Sequence, residues 1–135
     1  MIHVIMGLKG SGKTKQLLDA IQEALEKAHG DIVCIEYGKK LTYDVNYRVR
    51  LVDSKEYCIN NLDMLKGFLS GLHAGNFDIT HVFIDNLYKT IGTDRALGEE
   101  FVAWCAGFAA ENQMDITVSI SDDPTCASES MKKYM

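Results

Sequence analysis

Proline is nearly absent from this chain, with one residue in 135, and paired cysteines are missing altogether. Cys34, Cys58, Cys105 and Cys126 lie far apart, with no CxxC and no Cys/His pair at finger spacing. That excludes a recognisable zinc finger or redox dithiol and leaves buried thiols of a reducing cytosol as the expectation. Long apolar runs are lacking too. The longest, Phe101 to Ala110, has ten residues, too few to span a bilayer. There is no basic surplus, because 14 Lys+Arg face 19 Asp+Glu for a formal net charge of −5, which argues against a dedicated nucleic-acid binder. No basic leader or small-residue cleavage site precedes Gly7, so a cytoplasmic protein with no membrane association is expected.

What the chain does have is apolar patterning. Hydrophobic residues make up 47% of it, and no linker, repeat or low-complexity tract divides it, so residues 1–135 are expected to form a single domain. Ile2 to Met6, Asp31 to Tyr37, His81 to Ile84 and Ile116 to Ile120 are short apolar runs that suit buried strands. Arg48 to Val52 alternates arginine with aliphatic residues, as a strand near a sheet edge would. Between them, Lys13 to His29, Leu62 to Leu72 and Leu97 to Phe108 carry apolar stripes at helical spacing, with Gly30 and Gly75 as helix-ending signals. A short helix is expected in the tail, Ala127 to Met135. Strands alternating with helices predict an α/β fold: a three-layer, mostly parallel sheet of about five strands with helices on both faces. Ligands of such sheets bind at the carboxyl edge, which here carries Gly7, Glu36, Asp53, Asp85 and Ser121.

One segment on that edge is a motif in full. Gly7-Leu8-Lys9-Gly10-Ser11-Gly12-Lys13-Thr14 matches GxxxxGK[ST] and sits between a predicted strand and a predicted helix. Glycines allow positive φ, so successive backbone N–H groups converge on phosphate oxygens, and the helix N-terminus adds its positive dipole end. Lys13 would reach the distal phosphates and Thr14 would ligate Mg²⁺. A random chain of this length would show the pattern roughly 0.5% of the time. Such a site also needs a carboxylate on the metal side, at the end of a central strand. Asp85 and Asp53 both end strands, and Asp85 is preferred because its strand is apolar on both faces.

These residues resemble the RecA/DnaB-like core of P-loop NTPases. The resemblance rests on Gly7 to Thr14, on Val33-Cys34-Ile35-Glu36, on Val82-Phe83-Ile84-Asp85 with Asn86-Leu87, and on Ala96 to Ser121. It implies ATP and Mg²⁺ as ligands, Gly7 to Thr14 as the phosphate loop, Thr14 and Asp85 at the metal, and Lys13 and Glu36 as catalytic residues, Glu36 polarising the attacking water. Type II thymidine kinases look similar as well. Their pattern places Glu directly after the strand-end Asp and adds a cysteine-bound zinc lasso, and Asn86 and the scattered cysteines depart from both. The sensor position of the RecA/DnaB pattern reads Ser119-Ile120-Ser121-Asp122 here, and 135 residues leave no room for inserted DNA-binding loops.

The expected function is therefore binding of a nucleoside triphosphate with Mg²⁺, with slow hydrolysis. A nucleotide-dependent partner-binding module and a small-molecule or nucleoside kinase are the alternatives, and a second copy or another protein are the partners left open. Other residues carry weaker signals. Asp122-Asp123-Pro124 is foremost a turn; Lys9 is within reach of a γ-phosphate; Lys132 and Lys133 form a basic tail. Arg95 is the only arginine near the expected site. Tyr37, Tyr43, Tyr47 and Tyr88 are candidates to stack on a base. His3 and His81 fall in strands and His29 and His73 on helices.

Overall fold

A computed structural model describes residues 1–135 as five strands and five helices. The strands are β1 (Ile2–Gly7), β2 (Asp31–Glu36), β3 (Val49–Asp53), β4 (Ile79–Ile84) and β5 (Asp115–Ser121). The helices are α1 (Lys13–Lys27), α2 (Leu62–Gly75), α3 (Leu87–Ile91), α4 (Arg95–Asn112) and α5 (Glu129–Lys132), with one 3₁₀ turn at Pro124–Cys126. All pairings are parallel, in the order β1-β5-β4-β2-β3. The α/β class, the five strands and the peripheral place of β3 agree with the sequence reading. No helix is long and apolar enough to cross a membrane.

Helices cover both faces because the strands are apolar on both. Val33 and Ile35 of β2, with Val82 and Ile84 of β4, pack with α2 and α4 into a core of 24 buried residues. Ile32, Cys34 and Phe83, the alternate positions, pack with Leu17, Ile21, Ala24 and Leu25 of α1 into a second core of 9. The cleft described below opens at the carboxyl end of the strands. From β1 the chain winds toward β3 and then returns through β4 and β5. That reversal is the topological position at which open parallel sheets bind ligands.

Two local expectations need correction. Gly30 does not end α1 as a left-handed residue: the C-cap is Ala28 in extended conformation, and Gly30 is absent from the positive-φ glycines. Its lack of a side chain serves close packing instead, since a Cβ there would overlap the Asp78 carbonyl oxygen and Thr80 Cγ2. Helix α3 had no periodic signal, because five residues are too few to display one. The tail is as expected, with α5 burying Met131 and Tyr134 offering its carbonyl to the Val4 N–H of edge strand β1 (2.8 Å).

The two kinds of glycine should respond oppositely to alanine. Gly67 lies exposed in α2 with open space around it, so Gly67→Ala should stabilise the fold by about 0.5–1 kcal/mol through helix propensity. Gly30→Ala should destabilise by about 1–3 kcal/mol, because backbone must move to admit the methyl group. Urea unfolding of both variants checks the pair, and shifts of the same sign would refute the packing role of Gly30.

Candidate functional site

The strand register fixes which residues share the carboxyl edge. Gly7 is level with Ser121, and Glu36 with Asp53, while Asp85 follows Ile84, the partner of Ile35. Into this edge opens a cleft of about 710 Å³. Of the residues named from the sequence it is lined by Lys9, Gly10, Gly12, Lys13, Thr14, Tyr37, Asp85, Asn86, Tyr88, Ser119 and Ser121, and it adds Lys40, Lys89 and Thr93.

The loop between β1 and α1 has the backbone its glycines permit. Gly10 and Gly12 have φ of +85° and +89°, which would strain any residue with a Cβ. Gly7 answers a different need, since a Cβ there would overlap Ser11 Oγ. Ser11 N donates to the Leu8 carbonyl at 3.0 Å, and Lys13 Nζ arches back to the same oxygen, also at 3.0 Å. Helix α1 starts at Gly12 with no side-chain cap and no acidic residue in its first turn. In contrast, Asn61 caps α2 by accepting from Met64 N, and Asp94 caps α4 by accepting from Ala96 N and Leu97 N. The first N–H groups of α1 are thus open to an external anion, with Lys13 beside them.

Asp85 faces this loop across the cleft, held by its neighbour on β5. The buried Ser119 hydroxyl donates to Asp85 Oδ1 (3.1 Å) and accepts from Asn86 N (2.7 Å), which fixes the carboxylate relative to the left-handed turn at Asn86 (φ 52°). Thr14 and Asp85 therefore present two hard oxygen donors to one cavity, donors that would suit a hard divalent cation such as Mg²⁺. Asp53, the other strand-end aspartate, does not line the cleft. It accepts from Gly38 N (2.7 Å) and Lys55 N (3.0 Å) and closes the turns around β3.

Glu36 is 1% exposed and also stands outside the cleft lining. Its Oε1 accepts from Lys40 N (2.8 Å) and Leu41 N (3.1 Å), and Oε2 lies 3.3 Å from Leu41 N, so the carboxylate anchors the β2–β3 connection. Burial pushes its pKa up, the two backbone donors oppose the shift, and Asp85 and Asp53 add to it.

The remaining candidates separate cleanly. Asp122 is held by Arg95 through two hydrogen bonds, Nε to Oδ2 (2.7 Å) and Nη2 to Oδ1 (2.9 Å), and this contact first of all holds its carboxyl below the usual range. Asp123 caps the 3₁₀ turn by accepting from Thr125 N and Oγ1. Neither lines the cleft, and Arg95 is committed to Asp122. Lys132 pairs with Glu129, and Lys133 lies over the Tyr134 ring. Tyr43 and Tyr47 are almost fully exposed on the β2–β3 connection. His81 contacts Thr80 Oγ1 and Asp115 near the start of β4, at the opposite edge of the sheet, and His73 packs against Phe77 and Phe108.

The hold of Ser119 on Asp85 and the place of Lys40 and Lys89 in the cleft were not among the sequence expectations. For Ser119 a signal existed: Thr117, Ser119 and Ser121 put polar groups on one face of a strand otherwise apolar. For the lysines there was none, since they come from separate segments. Lys40 and Lys89 line the same cleft, and the Lys40 ammonium pushes the Lys89 pKa down, with burial adding and Asp85 opposing. No protein-family model and no curated protein matches this chain.

The anchoring role of Glu36 gives a signed expectation. Because its folded-state pKa is raised above 4.5, the folded protein binds this proton more readily than the unfolded chain. Its contribution thus favours folding as pH falls through the folded value and opposes it above. Glu36→Gln keeps an acceptor for the loop amides, so it should cost little at neutral pH and should remove this component of the pH dependence. Glu36→Ala leaves two amides without their acceptor and should cost about 1–3 kcal/mol. Urea unfolding across pH for the three proteins measures this, and parallel curves for wild type and Glu36→Gln would contradict it.

Proposed function

We propose that this chain binds a nucleoside triphosphate, ATP in the first instance, with Mg²⁺ in the cleft at the carboxyl edge of the sheet, as a reduced P-loop NTPase similar to the RecA/DnaB-like core. The observation that carries this reading is the GxxxxGK[ST] segment. Its loop has glycines at positive φ, it opens an uncapped helix N-terminus, and it shares one cleft with Lys13, Thr14 and Asp85.

In this reading the amides from Gly10 to Thr14 hold the phosphate chain, and Lys13 exchanges its hydrogen bond to the Leu8 carbonyl for phosphate oxygens. Thr14 Oγ1 and the Asp85 carboxylate hold Mg²⁺, with Ser119 keeping Asp85 aligned. Bound there, Mg²⁺ would supply positive charge against the negative charge that develops during phosphoryl transfer. Hydrolysis by the isolated chain is slow. Arg95 is tied to Asp122, Asn86 follows Asp85 where an acidic residue would orient water, and Glu36 is engaged with loop amides. Those same engagements favour, as a second reading, a module in which bound nucleotide orders the loops for a partner.

Lys13→Ala should weaken ATP·Mg²⁺ binding about tenfold or more, in line with loss of a charge-assisted contact of roughly 1.5–3 kcal/mol. Titration calorimetry measures it, and equal affinities would remove the phosphate-loop assignment. Thr14→Ala and Asp85→Ala should each reduce the Mg²⁺-dependent part of affinity, and their effects should be non-additive because both act on one ion. Additive losses would separate Asp85 from the metal. A phosphate-release assay decides between the readings: slow release without acceptor identifies an ATPase, stable bound ATP the module, and acceptor-dependent ADP a kinase. Loss of release in Glu36→Gln at unchanged ATP affinity would identify Glu36 as the water-orienting group.

A further inference from the structure

The charge of the cleft exceeds what the phosphate loop accounts for. Four lysines line it, Lys9, Lys13, Lys40 and Lys89, against the single carboxylate of Asp85, in a chain whose net charge is −5. Lys9 and Lys13 belong to the loop motif. Lys40 and Lys89 come from elsewhere, the first from the β2–β3 connection and the second from α3, one turn beyond Asp85. The structure gives neither a salt bridge, whereas the neighbouring Lys39 pairs with Glu56.

Two ammonium groups that line one cleft repel each other, and the Lys89 pKa is lowered accordingly. Their placement is nonetheless built. The Lys40 backbone is fixed by the buried Glu36 carboxylate (2.8 Å to Lys40 N), and Lys89 is carried by a helix whose other residues are buried. An anion between the two nitrogens would turn mutual repulsion into two charge-assisted contacts. Lys89 lies one turn beyond Asp85 and Lys40 lines the same cleft, and a phosphate chain running along the loop toward the metal position places its last phosphate near Asp85.

We infer that Lys40 and Lys89 form a two-ammonium clamp for the terminal phosphate, so that the cleft selects a triphosphate chain over a diphosphate. The inference rests on the proposal that the phosphate chain lies along residues 7–14. It assigns these two lysines as positioning and specificity residues, supplying within one chain the distal positive charge that Arg95, held by Asp122, does not provide. It also gives the Glu36 anchor a purpose, which is to hold the Lys40 backbone in register with α3.

The test is titration calorimetry with Mg²⁺ and four probes: a nonhydrolysable ATP analogue, ADP, inorganic tripolyphosphate and pyrophosphate. Wild type should prefer each three-phosphate probe over its two-phosphate counterpart by about tenfold or more, as expected for losing one or two charge-assisted contacts. In the double variant Lys40→Ala/Lys89→Ala that preference should fall to about threefold or less, while affinity for ADP and pyrophosphate stays within about threefold of wild type. Lys40→Arg/Lys89→Arg should recover most of the preference. Because both side chains are exposed, the variants should keep the wild-type unfolding midpoint. A double variant that retains the preference, or that loses two- and three-phosphate probes equally, overturns the clamp. Preference for tripolyphosphate with no binding of either nucleotide would uphold the clamp while removing the nucleotide reading, and no binding of any probe to wild type would remove both.

Discussion

The parallel pairing of all five strands is the constraint from which the site follows. Parallel neighbours cannot be joined by tight hairpins, so the chain must cross the sheet after every strand, and every carboxyl end arrives at the same edge. Gly7, Glu36, Asp53, Asp85 and Ser121, scattered over 115 positions, thereby become neighbours. The reversal of winding between the β3 side and the return through β4 and β5 separates the crossovers to opposite faces. It opens the edge between the α1 N-terminus and the end of β4.

Buried polar contacts help to hold that edge in shape. Ser119 bridges β5 to Asp85 and Asn86, Ser54 meets Thr90 at 3.1 Å between the β3 end and α3, and Glu36 secures the β2–β3 connection. Each of these groups is buried or faces the cleft, where an unmatched partner would cost more than on the surface. The exposed pairs Lys15–Asp19 and Lys27–Glu23 on α1 are, by comparison, ordinary helix-surface contacts. The cleft itself is left with excess positive charge, a condition that a bound polyanion relieves.

How far the sequence carried depended on whether a signal was local. Strands β1, β2, β4 and β5 were visible as apolar runs and β3 as an alternating one, and the three long helices showed their stripes, because burial imposes periods of 2 and 3.6 on contiguous residues. The loop from Gly7 to Thr14 was visible for the same reason: its backbone demands glycine at fixed offsets. The choice of Asp85 over Asp53 for the cleft followed from reading β4 as central. Contacts between distant segments left no such trace. Gly30 is small because Asp78 passes close by, Glu36 turns toward amides four and five residues later, and Lys40 and Lys89 share one cleft only once β2 and β4 pair.

The central claim is that the loop between β1 and α1 receives phosphate. The most direct measurement is amide NMR of the ¹⁵N-labelled protein titrated with ATP and Mg²⁺. The account predicts saturable shifts concentrated at Gly10, Ser11, Gly12, Lys13 and Thr14, with smaller ones at Asn86 and Lys40 and none around His81 at the opposite edge. Saturable binding that leaves the amides from Gly10 to Thr14 unmoved, or no binding at millimolar ATP, would contradict it.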